Sequence, residues 1–154
     1  MSPEPKLSKL YQEVILDHNS HPRNFKEILN PTHASHGFNP LCGDDYELFL
    51  NVDPQGIIQE VGFKGAGCAI SKSSASIMTS MIKGRPIQEA LGLKNQFVEL
   101  LTHDKNPSEG TRKKIGKLTV FEGVREFPVR VKCTTLIWHT LRDALEGKPV
   151  HKEL

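Results

Sequence analysis

The sequence predicts an α+β domain: a small antiparallel β-sheet with helices packed on one side. Three observations point there. Tyr46, Leu48, Leu50 and Val52 alternate with Asp45, Glu47, Phe49 and Asn51, the pattern of a half-buried strand. The turn-forming run Asp53-Pro54-Gln55-Gly56 follows, and a strand-like stretch over residues 57–64 completes a β-hairpin. Most other apolar residues recur at helical spacing, and most of them lie after these strands.

The first helix runs over residues 7–19, where Leu7, Leu10, Tyr11, Val14 and His18 share one face; Pro22 marks its end. Residues 31–39 read as a polar loop carrying His33 and His36. After the hairpin, Gly65-Ala66-Gly67 breaks the second strand and leads into a helix over residues 69–83. Ile70, Ile77, Met78 and Met81 form its apolar face, and Gly84 and Pro86 stop it. Cys68 stands at its N-terminus. Residues 86–91 and 95–103 read as two short helices, 104–111 as a loop with Pro107 and Gly110, and 112–122 as either helix or strand. The last helix starts near Pro128, a residue suited to the first helical position. Ile137, Leu141, Ala144 and Leu145 form its apolar face, Gly147 and Pro149 end it, and Cys133 falls in its second turn.

The 154 residues suit one domain over 1–154 with a core of its own. A formal net charge of +2 is too mild to imply nucleic acid, and the densest basic cluster, Arg112-Lys113-Lys114, reads as a solvated helix face. No apolar run approaches the ~18 residues of a membrane span. No apolar signal segment follows Met1 to Lys6, so the chain reads as cytoplasmic, a reducing compartment that keeps thiols free.

Three cysteines are present: Cys42 in Asn39-Pro40-Leu41-Cys42-Gly43-Asp44, Cys68 in Gly65-Ala66-Gly67-Cys68, and Cys133 in Arg130-Val131-Lys132-Cys133. An odd number excludes a fully paired disulfide framework within the chain. Together with Asp44, two residues from Cys42, they make a four-ligand set for zinc or for an iron–sulfur cluster. Cysteine is also a common core filler, and Cys133 on an apolar helix fits that reading too. Cys42 and Cys68 lie beside turn residues, where a core side chain gains little. A helix N-terminus stabilises a thiolate at Cys68. The serines after it do not complete a phosphate loop, which needs Gly-Lys-Ser/Thr, and they read instead as small residues that let this helix pack closely. His139 projects about 120° away from Cys133 on their helix and is not a ligand. Arg130, three residues before Cys133, is its helical neighbour, placed to offset the formal charge of about −2 on a zinc site with three thiolates and one carboxylate. A solvated surface arginine is the alternative.

These three cysteine motifs resemble those of the IscU/NifU-type iron–sulfur scaffold family. Tyr11, Val14-Ile15, Asp17-His18 and Pro22-Arg23-Asn24 are similar to its first helix and following turn. The resemblance spans nearly the whole chain and implies a SufE/IscU-like fold. Three features resemble the SufU branch: Lys132 where scaffolds carry His, Glu126-Phe127-Pro128-Val129-Arg130 in place of a Leu-Pro-Pro-Val-Lys motif, and an extra segment around residues 84–120. That branch implies a tight zinc site from Cys42, Asp44, Cys68 and Cys133. It implies a sulfurtransferase role, with Cys42 accepting persulfide sulfur from a SufS-type, PLP-dependent cysteine desulfurase for downstream cluster-assembly proteins. Two alternatives stand beside it: a scaffold building a transient [2Fe–2S] cluster on the same ligands, and a binding module with structural zinc.

Overall fold

The computed structural model, which describes residues 5–102 and 108–147, builds its sheet from β1 (His33–Asn39), β2 (Asp44–Val52) and β3 (Ile58–Ala66). The strands are antiparallel in the order β1-β2-β3. Tyr46, Leu48 and Leu50 stand opposite Gly65, Phe63 and Val61, so one face of the sheet carries the core. The alternation seen in the sequence fixes that register, because a one-residue slip would send Leu48 and Leu50 to solvent. The turn after β2 closes on Asp53, whose carboxylate accepts the N–H groups of Gln55 and Ile57, both at 2.9 Å. These bonds hold the Asp53 carboxyl below its usual range.

β1 corrects the expected polar loop over residues 31–39. It lacks an apolar alternation because it is an edge strand with a helix lying directly on its backbone. A Cβ at Gly37 would run into Thr140 Oγ1 and crowd Leu136, so a small residue serves there where a large apolar one would not fit. Ser35 and His33 occupy the same face, opposite Leu48 and Leu50.

The α-helices among the described residues are α1 (Pro5–Ser20), α2 (Ala69–Ile82), α3 (Ile87–Thr102), α4 (Glu109–Ile115) and α5 (Pro128–Glu146); α4 has only Ile115 buried, shows no apolar period, and begins inside the expected loop over 104–111. A run of 3₁₀ turns spans Gly116–Glu126. Residues 103–107, Pro149 and the side chains of Leu7 and Leu10, on which parts of the sequence reading fall, lie outside the described residues. α3 is one helix where two short ones were expected. Leu93, Phe97, Leu100 and Leu101 are buried along one face, each worth about 1.5–3 kcal/mol. Their burial outweighs the roughly 0.5–1 kcal/mol lost to Gly92 in mid-helix. The ambiguous stretch 112–122 resolves into the end of α4 and the 3₁₀ turns, with no strand. α5 packs on β1, β2, α2 and α3, while α1 lies against α2 and the 3₁₀ turns. Trp138, Tyr46, Phe63, Phe97 and Phe121 are wholly buried, and the Phe97 ring meets Trp138 and Phe121 at 5.4 and 5.9 Å. No described helix is long and apolar enough to cross a membrane.

α1 also buries a histidine. His18 Nδ1 is 2.7 Å from Ser76 Oγ on α2, and Ser76 Oγ accepts the Arg23 N–H at 2.8 Å. Burial, reinforced by the Arg23 and Lys117 charges, pushes His18 down to about 4. The folded protein therefore keeps this ring neutral over a range in which the unfolded chain takes up a proton. Stability tied to His18 is present at neutral pH and is lost as pH falls from about 6.5 toward 4. Urea midpoints should fall more for the parent protein than for His18→Gln between about pH 7 and pH 5. Equal losses in the two proteins would contradict this role.

Candidate metal centre

The centre starts in the turn between β1 and β2. Asn39 and Asp44 face each other across the ladder and leave Pro40 to Gly43 as the tip. The tip is held by Cys42 N–H to the Asn39 carbonyl at 3.3 Å and Leu41 N–H to Asn39 Oδ1 at 3.1 Å. Gly43 adopts φ +71°, a left-handed conformation that glycine takes without strain. Cys42 is half-buried on this tip, next to an exposed Leu41.

Asp44 opens β2 and is fully buried. Its Oδ1 accepts the Cys68 N–H and the Ser71 hydroxyl, each at 3.0 Å. The carboxylate thus satisfies donors at the N-terminus of α2, where the helix dipole favours negative charge. Tyr46 Oη lies 2.9 Å from Ser71 Oγ. Burial pushes the Tyr46 phenol up to about 12, so it stays neutral and donates to Ser71. Asp44 Oδ2 is different: it is buried and has no hydrogen-bond partner.

Cys68 is the N-cap of α2, with extended backbone, and its sulfur accepts the Ser71 N–H at 3.4 Å. The approach to it is tight. A Cβ on Gly67 would come within 2.5 Å of Asp44 Oδ1, Ser71 Oγ and Tyr46 Oη together. Gly67→Ala should therefore displace the Asp44 carboxylate and weaken metal binding by about tenfold or more. Competition against a chromophoric chelator measures this. Parent-like affinity would show that the carboxylate position does not matter.

Cys133 lies in the second turn of α5, 3% exposed, and its sulfur accepts Asn39 Nδ2 at 3.9 Å. One ligand atom each from Cys42, Asp44 and Cys133 lies within 4.8 Å of the other two. The Cys42 and Cys133 sulfurs lie in contact, with Cα atoms 7.0 Å apart, and Cys68 stands apart from them. A hairpin tip and a helix aim both sulfurs at one point, where they can share an oxidised bond or a cation. The buried carboxylate decides between these roles. It adds nothing to a disulfide, whereas it is a third donor to a cation. An ion would also supply the partner that Asp44 Oδ2 lacks. Soft sulfurs with one carboxylate fit zinc or an iron–sulfur centre. Cys68 is outside this tight trio and joins it through its N–H bond to Asp44.

Arg130 is exposed and stacks on the Phe127 ring, its guanidinium carbon 4.9 Å from the centroid. No ion pair or hydrogen bond ties its side chain to the cysteine sulfurs among the described residues. It does act on the buried Tyr11 phenol, which burial raises and which Arg130 lowers and Cys68 raises. Arg130 and Cys68 therefore act on the same phenol. The sequence reading missed Asn39, Tyr46, Ser71 and Gly67 as supports of the centre. Asn39, Gly67 and Ser71 sit inside or beside the cysteine motifs, and that adjacency was the available signal.

The profile of the NifU-like N-terminal domain family matches residues 10–134. A Bacillus subtilis protein named zinc-dependent sulfurtransferase SufU is 38% identical over 141 residues, covering 92% of this chain and 92% of its own length. A Streptococcus pyogenes protein named iron–sulfur cluster assembly scaffold protein IscU is 36% identical over 141 residues, covering 92% and 86%. A crystal structure from Fervidobacterium islandicum AW-1, titled as an iron–sulfur cluster assembly scaffold protein for the SUF system, superposes with a TM-score of 0.81 at 32% identity. It covers 90% of this chain and 98% of that one.

Proposed function

This chain belongs to the NifU-like N-terminal domain family, and from that premise we propose that it is a zinc-dependent sulfurtransferase of iron–sulfur cluster biogenesis, taking persulfide sulfur from a SufS-type, PLP-dependent cysteine desulfurase and passing it to cluster-assembly proteins in the cytoplasm. The observation that carries this reading is the buried, unpartnered Asp44 Oδ2 in a residue whose carboxylate gathers with the sulfurs of Cys42 and Cys133. Cys42, Asp44, Cys68 and Cys133 would hold the metal. Zinc supplies redox-inert coordination that keeps a thiolate deprotonated at neutral pH.

The chain's own residues divide the work. Cys68 and Cys133 are fixed on helices and hold. Asp44 is clamped through Oδ1 to the start of α2, so its free oxygen keeps a constant position. Cys42 sits on a hairpin tip and delivers. Its thiolate attacks the outer sulfur of the desulfurase persulfide. A sulfur–sulfur bond forms at Cys42, the bond to the desulfurase cysteine breaks, and that cysteine leaves as a thiolate. One sulfur atom moves and no external oxidant or reductant is required.

Metal analysis of protein purified without added metal, followed by a desulfurase-activation assay, tests the proposal. Bound zinc with accelerated cysteine turnover is the expected result. Iron reconstitution to a stable cluster with no sulfur ever gained would favour the scaffold reading, which similarity to the Streptococcus protein supports. Arg130→Ala should slow sulfur transfer several-fold without unfolding, because a cation near an anionic centre is removed. Unchanged kinetics would make it a surface arginine stacked on Phe127. Residues 84–120 are taken as a segment of the same single domain that distinguishes this branch.

A further inference from the structure

We propose that the cleft between α3 and α4 binds a small phosphate-bearing anion. The cleft measures about 500 Å³ and is lined by Arg85, Glu89, Gly92, Leu93, Gln96, Lys113 and Lys114. That volume lies in the roughly 300–1,000 Å³ range of small-molecule sites. None of these residues belongs to the metal centre, and the inference does not depend on the sulfur-transfer reading.

The charges facing the cleft do not balance. Glu89 is engaged by Arg85 at 3.1 Å. Lys113 and Lys114 are exposed, and among the described residues neither forms an ion pair or hydrogen bond. Their neighbour Arg112 is occupied by Glu122 on the 3₁₀ turns, through both of its terminal nitrogens. Of the basic run Arg112-Lys113-Lys114, one residue therefore fastens α4 in place and two turn their charges to the cleft. Cations that line one cleft repel one another, and a multivalent anion bound there offsets that repulsion.

Gly92 gives a second, independent indication. It sits inside α3, where glycine costs backbone entropy, and its φ is not in the left-handed region. A Cβ there would meet nothing within 4 Å, so packing does not require glycine either. Its effect is to leave the cleft wall bare down to the backbone. Gln96, one turn further on, adds an amide donor. Arg85 is held by Glu89 and by the Met81 carbonyl, so two ammonium groups and an amide around an open wall are left to meet the several oxygens of a phosphate group.

The test uses the zinc-loaded full-length protein, titrated with pyrophosphate at constant ionic strength while backbone amides are followed by NMR. Saturable shifts centred on Gly92, Gln96, Lys113 and Lys114 are expected. The Lys113→Ala/Lys114→Ala protein should bind about tenfold or more weakly. Gly92→Gln, which fills the wall with a good helix former, should also weaken binding while leaving the helix content unchanged. Non-saturating shifts, an equal loss in a Lys9→Ala/Lys64→Ala control, or shifts confined to the cysteine motifs through metal extraction would each overturn the proposal.

Discussion

Cys42→Ser is expected to abolish stimulation of the desulfurase while keeping a good part of the bound zinc. The reason is where each sulfur sits. Cys68 caps α2 and Cys133 is buried in α5, so both are fixed by helices. Cys42 is half-buried, as Cys68 is, but it is carried by a four-residue tip between Asn39 and Asp44 and not by a helix. Serine removes the nucleophile, since the thiolate is the attacking species in sulfur exchange. Three donors remain, and a three-ligand zinc site with water in the fourth position is a stable arrangement. Mass spectrometry after incubation with desulfurase and cysteine should show a gain of about 32 Da, one sulfur, on the parent's Cys42 peptide and none on the variant. Added sulfur on Cys68 or Cys133, or normal transfer by Cys42→Ser, would reverse the assignment. If all three cysteine variants lost folding and activity in parallel, the zinc would be structural only.

Metal removal should have the largest effect on stability. Binding to the native state alone adds to folding free energy, about 4 kcal/mol when free metal exceeds its dissociation constant a thousandfold. At roughly 2–4 °C per kcal/mol for a domain near this size, the melting temperature should fall by about 10 °C on chelation and recover on adding zinc. Cys68→Ser and Cys133→Ser should reproduce most of that fall, and Cys42→Ser a smaller part. A chelated protein that melts with the untreated one would mean that the ligand set does not hold a metal in solution.

The legible parts of the sequence were those with strong period or punctuation. The alternation through Tyr46, Leu48 and Leu50, the turn at Asp53, and the helix opened by Cys68 stand where the pattern put them. Ser71, Ser73, Ser74 and Ser76 of α2 are buried as expected of small packing residues; Ser74 donates to the Thr134 carbonyl of α5 at 2.7 Å. β1 was not legible, because a strand with a helix lying on its glycine carries little apolar signal. α3 was split by Gly92, whose local cost the buried face beyond it outweighs. The four candidate ligands were legible as residue types beside turns and helix ends, whereas their distances were not. Gaps of 25 and 64 residues between cysteines say nothing about separation in space. The contact between Asp44 and the start of α2 arises only when β2 and β3 pair and deliver Cys68 beside Asp44.

The two oxygens of Asp44 differ: one is held by the Cys68 and Ser71 donors, and the other, outer one is buried without a hydrogen-bond partner. A carboxylate is rigid, so neither oxygen can shift without the other. Whatever pulls on the outer oxygen is felt at the first amide of α2, and fraying of that helix end loosens the outer oxygen in turn. Occupancy of the centre and order in the opening turn of α2 thereby become one cooperative quantity, and the exchange rate of a single backbone proton, on Cys68, reads out both.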